Sequence, residues 1–496
     1  MSNANYKSLF KATGLFGIVE VIRMLLRVFV NKSASYFLGP AGVGILGLVE
    51  NIAQLIISLT GFGVQFTGVR EIAANKLSDQ KTLNKTIKFV NIFVIATGIL
   101  AAIFSIIFSN YLSIKTFDSD KYKLWFVFLA IYFIGTSYVQ SRTILLEGLQ
   151  NIKKLIILNI ISNFTNSIIF IGCYYYYKID GIILAMIITA VVNFFIFWRG
   201  TIQYTTKSVQ LSKEEIKSKI KYFSKSGGLL AINSFVGLLC YYLIRTYLKP
   251  LDSGNILGYY QIGNVLMVSY VGIIFIAISK FYFPKLTEVL KHKNNYLTNE
   301  LVNNQLELCL LILMPAIFFM YLVGNFCIEI LFSSEFIPVY EILVFGLFSV
   351  FLRGFNYVVG YMILSNNDIK QYFYINILSD VLNVVLTVFL YDKIGLYGIG
   401  LSIAINYFLS AIYIYYFVRK SYDFNIQLKV KKLMITIALI SSIITISYFE
   451  FESYWYYFLL SIFFVVSLFY SLIKLDKYLF NHLLLNKLKT FFNINE

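Results

Sequence analysis

Apolar stretches of about 20 residues recur from one end of this chain to the other, and no other feature restricts its fold as much. Inside a bilayer every backbone N–H and C=O must be satisfied within the protein, so only α-helices and closed β-barrels can span. The ten-residue alternation of barrel strands is absent. Of 496 residues, 58% are hydrophobic and 14% charged, whereas a soluble chain carries roughly 25% charge. The sequence predicts an all-α polytopic membrane protein with about 14 transmembrane helices: 12–38, 42–68, 88–110, 122–142, 154–177, 180–199, 223–248, 255–283, 302–323, 336–364, 371–391, 395–418, 432–449 and 455–474. The first is too long and too charged for a cleaved signal peptide, and no small-residue cleavage site follows it. It is expected to remain as span one.

The formal net charge of +17 does not point to nucleic acid, because the basic residues sit in short segments between spans. With the N-terminus inside, cytoplasmic segments hold about 31 Lys and Arg and outer loops about 6. An even number of spans then places both termini in the cytoplasm. Cys173, Cys240, Cys309 and Cys327 lie in or beside apolar spans without a CxxC pair. They suit small buried thiols better than a zinc or redox site. The segment 475–492 mixes Leu475, Leu479, Leu483 and Phe491 with Lys477, Lys487 and Lys489. That mix fits an interfacial helix or a solvated tail.

The chain repeats itself. Asn159-Ile160-Ile161-Ser162-Asn163-Phe164-Thr165-Asn166 aligns with Asn376-Ile377-Leu378-Ser379-Asp380-Val381-Leu382-Asn383 at an offset of 217. The same offset carries Gly181-Ile182 onto Gly398-Ile399 and Lys153 onto Lys370. Tyr36-Phe37-Leu38-Gly39-Pro40 is echoed by Tyr247-Leu248-Lys249-Pro250. Spans one to six therefore correspond to spans seven to twelve, entering the membrane in the same direction, as in other two-lobed transporters. The expected organisation is an N-lobe over 1–205, a C-lobe over 206–425, and two extra spans with a basic cytoplasmic tail over 426–496. A ligand site is expected between the lobes.

No enzyme chemistry is expected. The two histidines, His292 and His482, are not placed for a triad or a metal site. The GxxxxGK[ST] phosphate loop is absent. Asp118-Ser119-Asp120 has the DxD form of metal-using glycosyltransferases, but falls in a predicted outer loop. The charged residues within spans carry more information. An arginine at the centre of a spanning helix costs roughly 2.5–3.5 kcal/mol on insertion scales, so it usually faces protein or a water-filled path. Glu20, Arg23 and Arg27 share one face of span one. Glu50 and Gln54 share a face of span two. Arg245 lies in span seven and Arg353 in span ten, while span eleven carries Asn376, Asp380 and Asn383. Internal salt bridges, such as Glu20 with Arg23 or Arg353 with Asp380, are the plain alternative. Yet three carboxylates cannot offset four arginines, and the remaining guanidinium groups suit phosphate. The candidate substrate-binding residues are Arg23, Arg27, Arg353, Arg245, Glu50, Gln54, Asn163 and Asn383. Glu20 and Asp380 are candidates for ion coupling, and no metal site is expected.

At Tyr36-Phe37-Leu38-Gly39-Pro40-Ala41-Gly42-Val43-Gly44, with the polar-studded second span and the segment Gly61 to Ala73, the chain resembles the Wzx-type O-antigen and polysaccharide flippases. These belong to the multidrug/oligosaccharidyl-lipid/polysaccharide exporter (MOP) superfamily. The resemblance implies two six-helix lobes in a V around a central cavity. It implies movement of undecaprenyl-pyrophosphate-linked oligosaccharide repeat units from the inner to the outer leaflet of the bacterial cytoplasmic (inner) membrane, by alternating access. Arg23 and Arg27 would carry the cationic cavity, and Gln54, Asn163 and Asn383 would meet sugar hydroxyls. The implied partners are the lipid-linked oligosaccharide, membrane lipids and polysaccharide polymerase machinery. No cofactor is implied, and coupling to H+, Na+ or membrane potential stays open. The two extra spans resemble the lipid II flippase branch. The alternative is a multidrug exporter of organic cations from the same superfamily, which would want acidic groups where these spans are net basic.

Overall fold

The computed structural model describes residues 3–76, 79–204, 209–291, 294–451 and 453–480, with the side chains of the first helix described from residue 22 onward. His292, His482 and the interfacial helix expected past Phe480 lie outside the described residues. The described chain is helical: α1 (Asn3–Gly61), α2 (Val64–Asn75), α3 (Gln80–Ile107), α4 (Ser109–Phe117), α5 (Lys123–Gly148), α6 (Ile152–Tyr177), α7 (Gly181–Thr201), α8 (Lys213–Leu248) and α9 (Asn255–Asn264). There follow α10 (Val271–Lys291), α11 (Asn295–Leu331), α12 (Val339–Gly346), α13 (Phe348–Ser365), α14 (Ile369–Ile394), α15 (Leu396–Tyr422), α16 (Leu428–Glu450) and α17 (Ser453–Phe480).

Among the described residues, twelve stretches are long and apolar enough to cross a membrane. Two of them are double. The first, Ile22–Gly61, contains Gly39 at φ 66°, ψ −178°, followed by Pro40. Proline drives the preceding residue out of the helical region, and glycine accepts the positive φ at little cost. The expected turn between spans one and two is therefore this kink. The second, Ile152–Tyr204, holds α6 and α7 joined by a short 3₁₀ turn, Lys178–Asp180. Counting both halves of each restores the fourteen spans expected from the sequence. Large apolar side chains stand exposed along them, among them Ile107, Leu439, Val466 and Phe469. Such exposure is costly in water and suits hydrocarbon. The chain is a multi-pass membrane protein.

The chain divides into two compact units: Met1–Gln261 with Leu331–Ser333, and Ile262–Ile330 with Ser334–Glu496. α8 packs on α1 and α2 and belongs to the first. A Ser212/Glu215 capping box starts α8, satisfying two otherwise orphan N–H groups.

The repeat recurs in the geometry of each unit. α6 and α14 are both 26 residues long and start 217 residues apart. The residues before them, Gln150 and Asn367, both take a positive φ, 59° and 62°. The helix ends match as well: Lys178 at φ 52°, ψ −127° and Gly395 at φ 60°, ψ −136°. The next helices then pack back so tightly that a Cβ on Gly181 would lie 2.2 Å from the Cys173 carbonyl oxygen. One on Gly398 would lie 2.2 Å from that of Leu390. Cys173 and Leu390 are themselves repeat partners.

The two C-terminal spans dock within the second unit. Thr445 of α16 donates to the Val344 carbonyl at 3.2 Å, and the Tyr456 and Tyr340 hydroxyls pair at 3.0 Å. The linker ahead of α16 is held by α11. Asn303, fully buried, donates to the Asn425 carbonyl at 2.9 Å and accepts from the Gln427 N–H at 2.8 Å. Lys429 pairs with Glu307 at 2.7 Å. A buried amide satisfied on both sides fixes where the appended spans begin.

Candidate functional site

In the first unit the kink at Gly39 divides α1 into two halves, and charges from both meet in one field. Arg23 is half-buried and Arg27 exposed on the first half. Glu50 is exposed on the second half, and Gln54, also exposed, follows one turn later on the same face. Arg27 and Arg245 both act on the Glu50 carboxylate through space. Tyr132 of α5 and Tyr174 of α6 stand within the field of the same carboxylate. The result is a carboxylate within the field of two guanidinium groups and near two tyrosines. The Glu20 side chain lies outside the described residues.

Arg245 differs from Arg27. It is 9% exposed. Its Nη1 donates to the Gly47 carbonyl, and its Nη2 donates to Gln261 Oε1 at 2.5 Å. Its guanidinium carbon lies 5.9 Å from the centre of the Tyr260 ring. A buried guanidinium must be paired or hydrogen-bonded, and here the main chain of span two supplies part of the pairing. Arg245 thus ties α8 to α1 while contributing its charge beside Glu50. Asn163, half-buried on α6, lies among Ile160, Ile161, Phe164 and Thr165. These four line an apolar groove of about 480 Å³ with Ile22, Leu25 and Leu26 of α1.

The second unit holds the other predicted residues. Arg353 projects from α13 toward Val265–Tyr270, a π-helical turn between α9 and α10. A π-turn widens the helix and leaves carbonyls short of their usual partners. Arg353 Nη1 donates to two of them, Met267 at 2.9 Å and Val268 at 3.0 Å. The guanidinium also stacks over Phe275 at 5.2 Å. Asp380 and Asn383 are half-buried on α14. The Asn383 Oδ1 is buried without a hydrogen-bond partner. The alternative of an Arg353–Asp380 salt bridge is not found among the described residues, and the Arg353 charge is directed to the π-turn instead.

Several residues around these sites carry no sequence signal: Gln261, Tyr132 and Tyr174 near Glu50, and the π-turn itself, which reads as an ordinary apolar run. The DxD segment has a structural role. Asp118 ends α4 in the left-handed region and pairs with Lys249 at 2.6 Å. Three of the four cysteines are buried and all four are unbridged.

Comparison with known proteins follows the same lines. A family model described as "Polysaccharide biosynthesis protein" matches residues 35–341, and one described as "Lipid II flippase MurJ" matches residues 234–469. A probable lipid II flippase MurJ of Borreliella burgdorferi is 26% identical over 212 residues, 40% of this chain and 39% of that protein. The chain thus spans about two fifths of that relative's length. A lipid III flippase of Escherichia coli is 22% identical over 373 residues, 74% of this chain and 87% of that protein. Among solved structures, a lipid II flippase MurJ in an inward closed conformation superposes with a TM-score of 0.70 at 15% identity, covering 94% of this chain and 99% of that one. An inward-facing multidrug resistance MATE family transporter of the MOP superfamily gives 0.68 at 13% identity, covering 85% and 99%. At these identities the solved structures establish a shared fold.

Proposed function

Because the chain belongs to the polysaccharide biosynthesis protein family, we propose that it is a flippase of the bacterial inner membrane. Its proposed substrate is an undecaprenyl-pyrophosphate-linked oligosaccharide repeat unit, of O-antigen or a related surface polysaccharide, moved from the cytoplasmic to the periplasmic leaflet by alternating access. The relatives named for lipid II and lipid III translocation support a lipid-linked substrate. The observation that carries the reading is that Arg27 of span one and Arg245 of span seven both act through space on Glu50 of span two. Two cations around one carboxylate leave a net positive site. A diphosphate would compete with Glu50 for Arg27, so that Glu50 acts as an internal counter-ion when substrate is absent. Arg23 is placed on the same helix to extend the clamp, and Gln54, Asn163 and Asn383 offer amides to sugar hydroxyls. An inside-negative potential would favour outward movement of the anion by about 2.3 kcal/mol per charge per 100 mV.

Complementation tests this. In a strain lacking the gene, Arg27→Ala is expected to insert at wild-type level and abolish surface glycan. Arg27→Lys restores only part, since ammonium lacks the planar fork. Full glycan with Arg27→Ala would remove the clamp from the account. Glu20 and Asp380 are proposed as ion-coupling sites. Export by Asp380→Asn that follows pH and sodium as wild type does would discard Asp380 from that role.

A further inference from the structure

The second unit contains a cavity of about 240 Å³ between α13, α14 and α15. This is below the ~300–1,000 Å³ of sites for drug-sized ligands. We infer that this cavity is a binding site for a single anionic sugar unit, with Arg353 meeting its negative group.

Four observations carry the assignment. Arg353 is the only charged residue in the lining, so an anion is favoured over a cation. Its Nη1 is committed to the π-turn carbonyls, and its Nη2 has no hydrogen-bond partner among the described residues. The guanidinium is therefore held in place with one donor edge to spare. Asn356, one turn along, donates to the Tyr407 carbonyl at 3.1 Å while its Oδ1 is buried without a partner. Asn356, Asn376, Ser379 and Ser410 supply polar side chains to the lining, which suits sugar hydroxyls. Tyr357 and Tyr361 line the cavity edge to face, ring centres 4.9 Å apart, and their hydroxyls, 3.0 Å apart, add polar groups beside it. Finally, Gly360 lines the cavity, and a Cβ added there would meet nothing within 4 Å. Helix interiors disfavour glycine by about 1 kcal/mol relative to alanine. With no protein neighbour to exclude a side chain, the open space itself is what this glycine preserves.

The inference deepens the flippase reading by assigning part of the substrate, and it rests on that reading only for the sugar's origin. The negative group has two sources: the phosphate on the first sugar of the lipid-linked unit, or a carboxylate on an acidic sugar within it. The test uses purified full-length protein in detergent, with glucose 1-phosphate, glucuronate and glucose as probes, read by titration calorimetry and thermal melting. At least one anionic probe is expected to bind ten-fold or more tighter than glucose. Preference for glucose 1-phosphate assigns the phosphate, and preference for glucuronate the carboxylate. Arg353→Gln should erase the preference. Because Arg353 also supports the π-turn, Gly360→Leu is the cleaner variant. It should keep the melting temperature of the unliganded protein and lose binding of all probes, with Gly360→Ala intermediate. Equal binding of glucose and both anions, or unchanged binding in Gly360→Leu, overturns the inference. No probe binding by a protein that still transfers lipid-linked saccharide between leaflets overturns it and leaves the flippase reading standing. Probe binding without leaflet transfer does the reverse.

Discussion

Arg27 and Arg245 carry the same charge near the same carboxylate, yet their surroundings give them different work. Arg27 is exposed, while Arg245 is buried and donates to the Gly47 carbonyl and to Gln261. Arg245→Ala is expected to destabilise the protein by about 1–3 kcal/mol, because it removes the side chain that ties α8 to α1 and leaves the Gln261 amide oxygen without this donor. Arg27→Ala should leave the melting temperature close to wild type. Equal melting temperatures for the two variants would contradict this division. Lys178 offers a second test. It sits at φ 52°, ψ −127°, a region nearly reserved for glycine, and its repeat partner is Gly395. Lys178→Gly should raise stability by about 1 kcal/mol through relief of backbone strain, less whatever Lys178 gains from the Phe37 ring 5.4 Å away. A lower melting temperature would show that the ring contact outweighs the strain. At this scale the sequence was informative about residue type and weak about partners. The intramembrane arginines stand out because each is expensive in a span. That Arg353 would address the carbonyls of a π-turn rather than Asp380 could not be read, since Val265–Tyr270 is an unbroken apolar run.

The elements were legible where local chemistry speaks. Gly39-Pro40 marks the turn between the first two spans, and the structure places a kink there. The repeat read from Asn159–Asn166 and Asn376–Asn383 extends to helix length, capping dihedrals and the close contact of the following glycine. Gly181→Ala and Gly398→Ala should therefore behave as a pair. Each pushes a methyl against a carbonyl oxygen and is expected to cost about 1–3 kcal/mol through overpacking. Thermal melting of the two single variants checks it, and a neutral effect in either would break the equivalence of the two hairpins. What the sequence did not announce is how α16 is secured. The clamp by Asn303 depends on a polar residue buried within an otherwise amphipathic helix, and single polar residues on helices are too common to read as clamps.

For the whole molecule, hydropathy settles the class. Among the described residues twelve stretches, two of them double, qualify as spans on length and apolarity, and the solved transporter structures share the fold. Identity of the cargo does not follow from hydropathy, because the proposed phosphate clamp would accept any pyrophosphate, and the amides and hydroxyls proposed to meet the sugars carry little sequence signature. The protein is proposed to transfer a lipid-linked saccharide across the bilayer. The most direct test is made in a deletion strain, with a probe that labels only outer-leaflet sugars applied to extracted and intact membranes. A completed repeat unit is expected to accumulate on the inner leaflet and to reach the outer leaflet once the wild-type gene is returned. Completed units already on the outer leaflet without the gene, or no lipid-linked intermediate at all, would contradict it.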